Sequence, residues 1–140
     1  MVMTDIGGKW TYRSFHNDPA PVGDDADKAL GLIFAEAEFT FEISGTSLTG
    51  TIRWGHDGLD LKGTIQPASA TTPLSVQIVG TGRSDIGTEG WEYDYNACLA
   101  HQWPNGIDQV PALVGSVIRA KPHGSSPAGY VASFIAVKQP

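Results

Sequence analysis

The sequence predicts an all-β fold, an eight-stranded antiparallel up-and-down β-barrel, from three observations. Apolar and polar residues alternate with a period of two in successive runs, which is typical of strands with one covered face. Turn-forming residues separate the runs. Several runs place Trp, Tyr or His on the side assigned to the interior. Closure removes exposed strand edges, and a barrel of this strand number holds side chains or one small ligand. A flattened two-sheet sandwich is the alternative.

The first three predicted strands span residues 9–16, 32–44 and 48–56. The second has the clearest alternation, and its apolar side consists of Ile33, Ala35, Ala37, Phe39, Phe41 and Ile43. In the first and third strands the inward positions include aromatic rings and imidazoles, namely Trp10, Tyr12, His16, Trp54 and His56. Asp57-Gly58 predicts a hairpin turn after the third strand, because these residues favour the positive φ angles of a tight turn.

The remaining predicted strands span residues 59–66, 74–82, 91–103, 112–121 and 130–138. The sixth is the most informative, because its side opposite Glu92 and Asp94 should face inward. That side contains Trp91, Tyr93, Tyr95, Ala97, Leu99, His101 and Trp103. The last two strands are apolar on both sides, so alternation does not assign their inner faces. Residues 24–34 are the one segment in which the spacing of apolar residues also fits a helix, and Asp25 is placed there to cap one or two helical turns.

Composition excludes several classes of protein. The formal net charge is −6 and the Lys and Arg residues are scattered, which argues against nucleic acid as a partner. Cys98 is the only cysteine, which excludes an intramolecular disulfide and fits a reducing compartment. The sequence contains no apolar stretch of about 18 residues, so no membrane span is predicted. Residues 1–9 lack the pattern of a secretory signal. We therefore predict one cytoplasmic domain, residues 1–140, with no membrane partner.

Two short motifs carry a resemblance to a known superfamily. Gly8-Lys9-Trp10 resembles the Gly-x-Trp that opens lipocalin and avidin barrels, and residues 48–51, Leu-Thr-Gly-Thr, resemble a segment of the avidins. Residues 91–95 and 103–106 resemble small bacterial barrel domains of unassigned function. The resemblance implies a calycin-like barrel, lipocalin- or avidin-like, with Lys138 from the last strand beside Trp10. It does not imply biotin binding, because the Asn that avidins place two residues after the Trp is missing here.

Up-and-down order predicts which loops share a rim. Residues 17–29, 56–58, 83–90 and 122–128 should cluster at one rim, and residues 44–47, 67–73 and 104–111 at the other. His16, His56 and His123 should then lie near one opening, with His101 and Trp103 near the opposite end. The length and the Gly, Pro and Asp content of residues 17–29 are typical of a flap, so we expect ligand entry beneath it.

Non-catalytic binding of a small hydrophobic or aromatic molecule is the leading hypothesis, because aromatic walls with a few polar groups are typical of such cavities. The predicted ligand-binding residues are Tyr12, His16, Phe39, Trp54, His56, Trp91, Tyr93, Tyr95 and His101. No cofactor is predicted, and no metal site, because the spacings of the histidines match no metal motif. Trp10 is expected to be a structural plug at the barrel floor.

Two alternatives stay open at this point. The first is a cofactor-independent isomerase, cyclase or lyase, with His16 or His56 as acid or base and Tyr93 or Tyr95 donating to a developing oxyanion. The second is an oligomerisation or scaffold domain with a filled interior. The apolar outer sides of the last two strands also make a homodimer plausible.

Overall fold

Residues 5–140 are described by a computed structural model, and within them eight antiparallel strands close into an up-and-down barrel. Each strand pairs with the next along the chain, and the first pairs with the last. The all-β barrel predicted from the sequence is confirmed, and the open sandwich is excluded by the closing pair. The strands are β1 Gly8–His16, β2 Ile33–Ser44, β3 Ser47–Trp54, β4 Asp57–Gln66, β5 Ser75–Gly82, β6 Glu92–Leu99, β7 Ala112–Arg119 and β8 Val131–Lys138.

One short helix, α1 (Ala26–Gly31), lies between β1 and β2. Asp25 is its N-cap, as predicted: its Oδ1 accepts from the backbone N–H groups of Asp27 and Lys28 at 3.0 and 3.2 Å. Such a cap satisfies amide donors that lack a partner in the first helical turn. Among residues 5–140 there is no helix with the length and apolar character needed to cross a membrane.

The prediction that the sixth strand continues beyond Leu99, with His101 and Trp103 facing inward, is wrong. β6 ends at Leu99, which pairs with Leu113, and β7 begins just after Pro111. Proline lacks an N–H for a further ladder bond. The backbone of Trp103 is instead bonded at both N–H and C=O by the side chain of Gln109, at 2.5 and 2.6 Å. His101 therefore does not face the interior, and Trp103 is 67% exposed.

The barrel is filled at one end. This lower end, beside the loops at residues 45–46, 67–74 and 100–111, is packed with fully or almost fully buried side chains: Ile6, Trp10, Phe41, Leu48, Ile65, Val76, Leu113 and Ala136. Trp10 is its plug, and its indole N–H donates to the carbonyl of Ile6 at 2.9 Å. The register places Lys138 opposite Trp10, and its Nζ donates to the carbonyl of Asp5. The burial of these side chains shows that this end of the barrel is well packed.

The upper end, by contrast, carries the loops at residues 17–32, 55–56, 83–91 and 120–130. The loop at 83–91 is drawn in because Gly82 has no side chain: a Cβ there would lie 1.5 Å from the carbonyl oxygen of Thr88. Thr88 is fully buried and its hydroxyl donates to the carbonyl of Gly58 at 2.7 Å. Its own carbonyl accepts from the N–H of Trp91 at 3.0 Å. These bonds fix Trp91 at the mouth of the barrel.

Candidate functional site

A cavity of about 310 Å³ occupies the upper half of the barrel. Its volume lies at the small end of the range, about 300–1,000 Å³, that ligand pockets usually have. Most of its wall is aromatic or aliphatic. The lining residues are Tyr12, Phe34, Ala35, Glu36, Ile52, Trp54, Leu59, Trp91, Tyr93, Tyr95, Val117, Arg119 and His123.

A β-bulge brings Phe34 into this wall. The β1–β2 register pairs Ser14 with Ala35 but Phe15 with Ile33, so one residue of β2 is left without an opposite partner. An extra residue reverses the alternation beyond it. Phe34 therefore lines the cavity, whereas Ile33, which strict alternation assigned to the interior, is not part of its wall. The inward prediction for Ile33 is wrong for this reason.

Three stacked rings form the mouth of the cavity. The indoles of Trp54 and Trp91 stack with centroids 6.2 Å apart and an interplanar angle of 19°. Trp91 also stacks on the imidazole of His123, at 3.7 Å and 11°. The β7–β8 loop presents His123 from a tight turn closed by two backbone hydrogen bonds with Ser126. Parallel aromatic faces of this kind are a stacking surface for a flat ligand.

A polar cluster of Arg119, Tyr93 and His123 stands beside this stack. Arg119 Nε donates to the Tyr93 hydroxyl oxygen at 2.8 Å, and His123 Nε2 lies 2.9 Å from the same oxygen. Burial, and then the positive charge of Arg119, lower the pKa of His123 below its ordinary value. Because the Tyr93 oxygen already accepts from Arg119 and still has its own proton to donate, we assign His123 the neutral tautomer with its proton on Nδ1, in which Nε2 accepts from Tyr93.

Arg119 is the buried cation of this cluster. It is only 7% exposed, and its guanidinium lies over the rings of Phe34, Tyr93 and Tyr130 at 5.8, 5.6 and 5.4 Å. Its Nη1 donates to the carbonyl of Pro127 at 3.1 Å. Attraction to ring faces and bonds to neutral oxygens hold the side chain in one position.

The base of the cavity is made by two phenols. Tyr12 and Tyr95 lie edge-to-face with centroids 6.1 Å apart, and both pack against Phe39 and Phe134. Burial raises the pKa of both hydroxyls well above the ordinary value, so both stay neutral near physiological pH. They are potential hydrogen-bond donors at the base of the cavity.

The structure brings together some of the predicted binding residues and separates others. Those that line the cavity are Tyr12, Trp54, Trp91, Tyr93 and Tyr95. Phe39 is fully buried beneath the two phenols and supports them. His16 lies outside the lining, where its Nδ1 bonds to the Tyr130 hydroxyl and its ring packs on Phe34.

His56 and His101 are not part of the wall. His56 is exposed in the turn between β3 and β4, because β3 ends at Trp54 before the imidazole can turn inward. His101 is exposed at the lower rim, edge-on to the ring of Trp103 at 4.6 Å. The predicted ligand-binding and acid–base positions therefore do not form one cluster.

The sequence pattern did not place Phe34, Glu36, Arg119 or His123 in the wall of the cavity, nor Tyr130 against Arg119. The sequence did contain a signal for Arg119. It lies an even number of residues from Leu113 and Val117, so all three side chains point to the same face of β7, and the other two are buried. The position of His123 at this rim was predicted, but not its place in the wall. Nothing local in the sequence marks the bulge that turns Phe34 inward.

Within the described range, 5–140, no group of three or more His, Cys, Asp or Glu side chains is arranged to hold a metal ion.

Comparison of the chain with protein-family models, curated proteins and solved structures found no match.

The closed eight-stranded barrel is consistent with a calycin-like fold.

Proposed function

We propose that this protein binds a small, partly aromatic or apolar molecule in the upper cavity. The observation that carries the proposal is the contrast between the two ends of the barrel. The lower end is packed with buried side chains, whereas the upper end encloses about 310 Å³. Protein interiors are ordinarily close-packed, so a space of this size walled by rings supports a ligand site.

The wall supports a flat, ring-containing ligand. Trp54 and Trp91 offer stacking faces at the mouth, and Ile52, Leu59 and Val117 offer aliphatic surface below them. Burying apolar ligand surface against such walls contributes about 25 cal/mol for each Å². Tyr12 and Tyr95 can orient the ligand by donating hydrogen bonds from the base of the cavity.

Membership of the calycin superfamily is part of this proposal. The Gly-x-Trp at Gly8 to Trp10 opens β1, and the chain closes into eight up-and-down strands with a cavity at one end. A cytoplasmic location remains a prediction from the single cysteine. A homodimer remains a prediction as well; its basis is the exposed apolar outer face of β7 and β8, which includes Val114, Ile118 and Ile135.

Tryptophan emission tests the binding proposal. The chain is titrated with a panel of small aromatic and apolar compounds that do not absorb where indole does. We expect saturable emission changes in the wild type and in Trp103→Phe, because Trp103 is exposed at the lower rim. The change should be weakened in Trp54→Phe and Trp91→Phe. A change that depends on Trp103 alone, or a flat response to every compound, would overturn the proposal.

One observation favours a second candidate, the proton-transfer enzyme. Tyr93 is hydrogen-bonded to both His123 and Arg119, which is an arrangement for moving a proton. The Tyr93 oxygen could take a proton from a carbon acid while its own proton passes to His123 Nε2, with Arg119 stabilising the negative charge that develops. His123 replaces His16 and His56 in this role, because those two do not line the cavity.

Deuterium exchange distinguishes the two candidates. Compounds that bind are incubated with the protein in deuterated buffer and followed by NMR. An enzyme of this kind would exchange an acidic C–H of its ligand, and His123→Gln would stop the exchange while His56→Gln would not. Ligands that bind without any exchange would leave simple binding as the function.

A further inference from the structure

We propose that the ligand carries a carboxylate and that the guanidinium of Arg119 binds it inside the cavity. This inference rests on the proposed function. The observation behind it is a buried cation without an acidic partner: Arg119 is only 7% exposed, yet no Asp or Glu oxygen among the described residues lies within 4.0 Å of it. Buried charges in proteins are usually paired or bound to a ligand.

Other cations of the chain show the opposite arrangement. Lys9, Arg13, Arg83 and Lys121 all pair with carboxylates, and all four have much more exposed side chains than Arg119. Such exposed pairs contribute little to stability, because water already screens the charges. Arg119 is more buried than any of these four cations, yet no carboxylate oxygen of the described residues lies within 4.0 Å of it. A ligand that supplies the missing negative charge would gain most at this position.

The contacts of Arg119 orient the guanidinium without neutralising it. Nε is used by Tyr93 and Nη1 by Pro127, and both acceptors are neutral oxygens. A guanidinium has further N–H donors, and Nη2 makes no hydrogen bond to the described residues. Arg119 belongs to the lining of the cavity, and we assign these remaining donors to the bound molecule.

A carboxylate fits these donors better than other common groups. Its two oxygens can accept from adjacent guanidinium N–H groups, and such charge-assisted bonds are stronger than bonds between neutral partners. The rings of Trp54 and Trp91 can then hold the apolar part of the same molecule. Glu36 is the carboxylate in the wall, but it is exposed and lies 3.7 Å from Arg13 on the outer side. A small aromatic carboxylate is the class of ligand that this site would take.

Isothermal titration with a matched pair of probes tests the inference. The probes are 2-naphthoate and 2-naphthamide, which share a ring and a shape but differ in charge near neutral pH. We expect the wild type to bind the carboxylate at least about tenfold more tightly than the amide, which corresponds to about 1.4 kcal/mol. Arg119→Met should remove this preference, because it should weaken binding of the carboxylate much more than binding of the amide. Methionine keeps an unbranched apolar side chain in the space of the arginine stem.

Arg53→Met is the matched control, because it deletes the same charge from an exposed, outward position of β3. It should keep the full preference for the carboxylate. Equal affinity of the wild type for the two probes, or a preference that survives in folded Arg119→Met, would overturn the inference while leaving ligand binding intact. Should Arg119→Met fail to fold, the wild-type comparison alone decides. Binding of neither probe, nor of any compound in the emission panel, would overturn the proposed function itself.

Discussion

The imidazole of His123 lies flat on the indole of Trp91, with ring centroids 3.7 Å apart. This contact joins two loops that are separate in the sequence, the one before β6 and the one between β7 and β8. Since Trp91 also stacks on Trp54, the contact links these two loops to the end of β3 at the upper rim. We therefore expect the mouth of the cavity to respond to the protonation state of His123.

Acid should destabilise the protein in part through His123. Its pKa in the folded chain lies below the ordinary value of 6.5, because burial and Arg119 disfavour the imidazolium. The unfolded chain thus binds this proton more readily than the folded chain. The stabilising contribution is complete above pH 6.5 and is lost as the pH falls through the folded pKa. Urea unfolding across this range should show a smaller loss for His123→Gln than for the wild type.

His56→Gln is the control for this pH profile, because His56 is exposed in a turn. It should keep the wild-type profile. An NMR titration of the imidazole protons reports the pKa of His123 directly, and Arg119→Met should raise that pKa towards 6.5. A wild-type midpoint at or above 6.5 would contradict the prediction.

Replacing Tyr93 by Phe should lower the free energy of unfolding by about 1–3 kcal/mol. The change removes the oxygen that accepts from Arg119 Nε and leaves that buried donor without a partner. Urea unfolding of Tyr93→Phe, Arg119→Met and the double variant measures the coupling between the two residues. We expect the double variant to lose less stability than the sum of the single losses. Strict additivity would show that the two side chains do not interact.

Gly82→Ala should displace the loop at residues 83–91 and cost about 1–3 kcal/mol of stability or more. Its Cβ would lie 1.5 Å from the backbone oxygen of Thr88, and backbone cannot move aside as a flexible side chain can. The near-ultraviolet circular dichroism of Trp91 should change as well. Gly31→Ala is the control, because a Cβ at Gly31 would have no atom within 4 Å and the φ angle there is not in the left-handed region. A tolerated Gly82→Ala would argue against the close approach.

Trp10→Ala should cost about 3–5 kcal/mol, the usual range for removing a large buried ring. Trp10 is fully buried, and its indole N–H donates to Ile6. Thermal or urea unfolding measures the loss. Trp103→Ala removes the same side chain from a position that is 67% exposed, and should change stability by no more than about 0.5 kcal/mol. Similar losses in the two variants would contradict the role of Trp10 as a plug.

Strand alternation was sufficient to predict the barrel and much of its aromatic lining. The inward positions of Tyr12, Tyr93 and Tyr95 followed from the alternation of residues within single strands, because successive side chains of a strand point to opposite faces. The Asp25 cap was also predictable, since capping is decided by a few neighbouring residues.

The alternation rule gave the wrong facing of a side chain where the pairing with a second strand changed it. Phe34 turns inward because the β1–β2 register shifts, and no pattern within β2 records that shift. His101 is exposed because the pairing between β6 and β7 ends at Leu99, beside Pro111. In both cases the result depends on how a strand pairs with its neighbour, which its own sequence does not show.

The sequence by itself therefore determined the fold class, the filled floor under Trp10 and the aromatic character of the interior, because these follow from local alternation and side-chain type. Only the tertiary structure decided that Arg119, Tyr93 and His123 meet in one polar cluster. These residues come from β6, the end of β7 and a loop, and the barrel brings them together through hydrogen bonds between segments distant in the sequence. Contacts of that kind depend on the register in which β6 pairs with β7, which no single run of residues encodes.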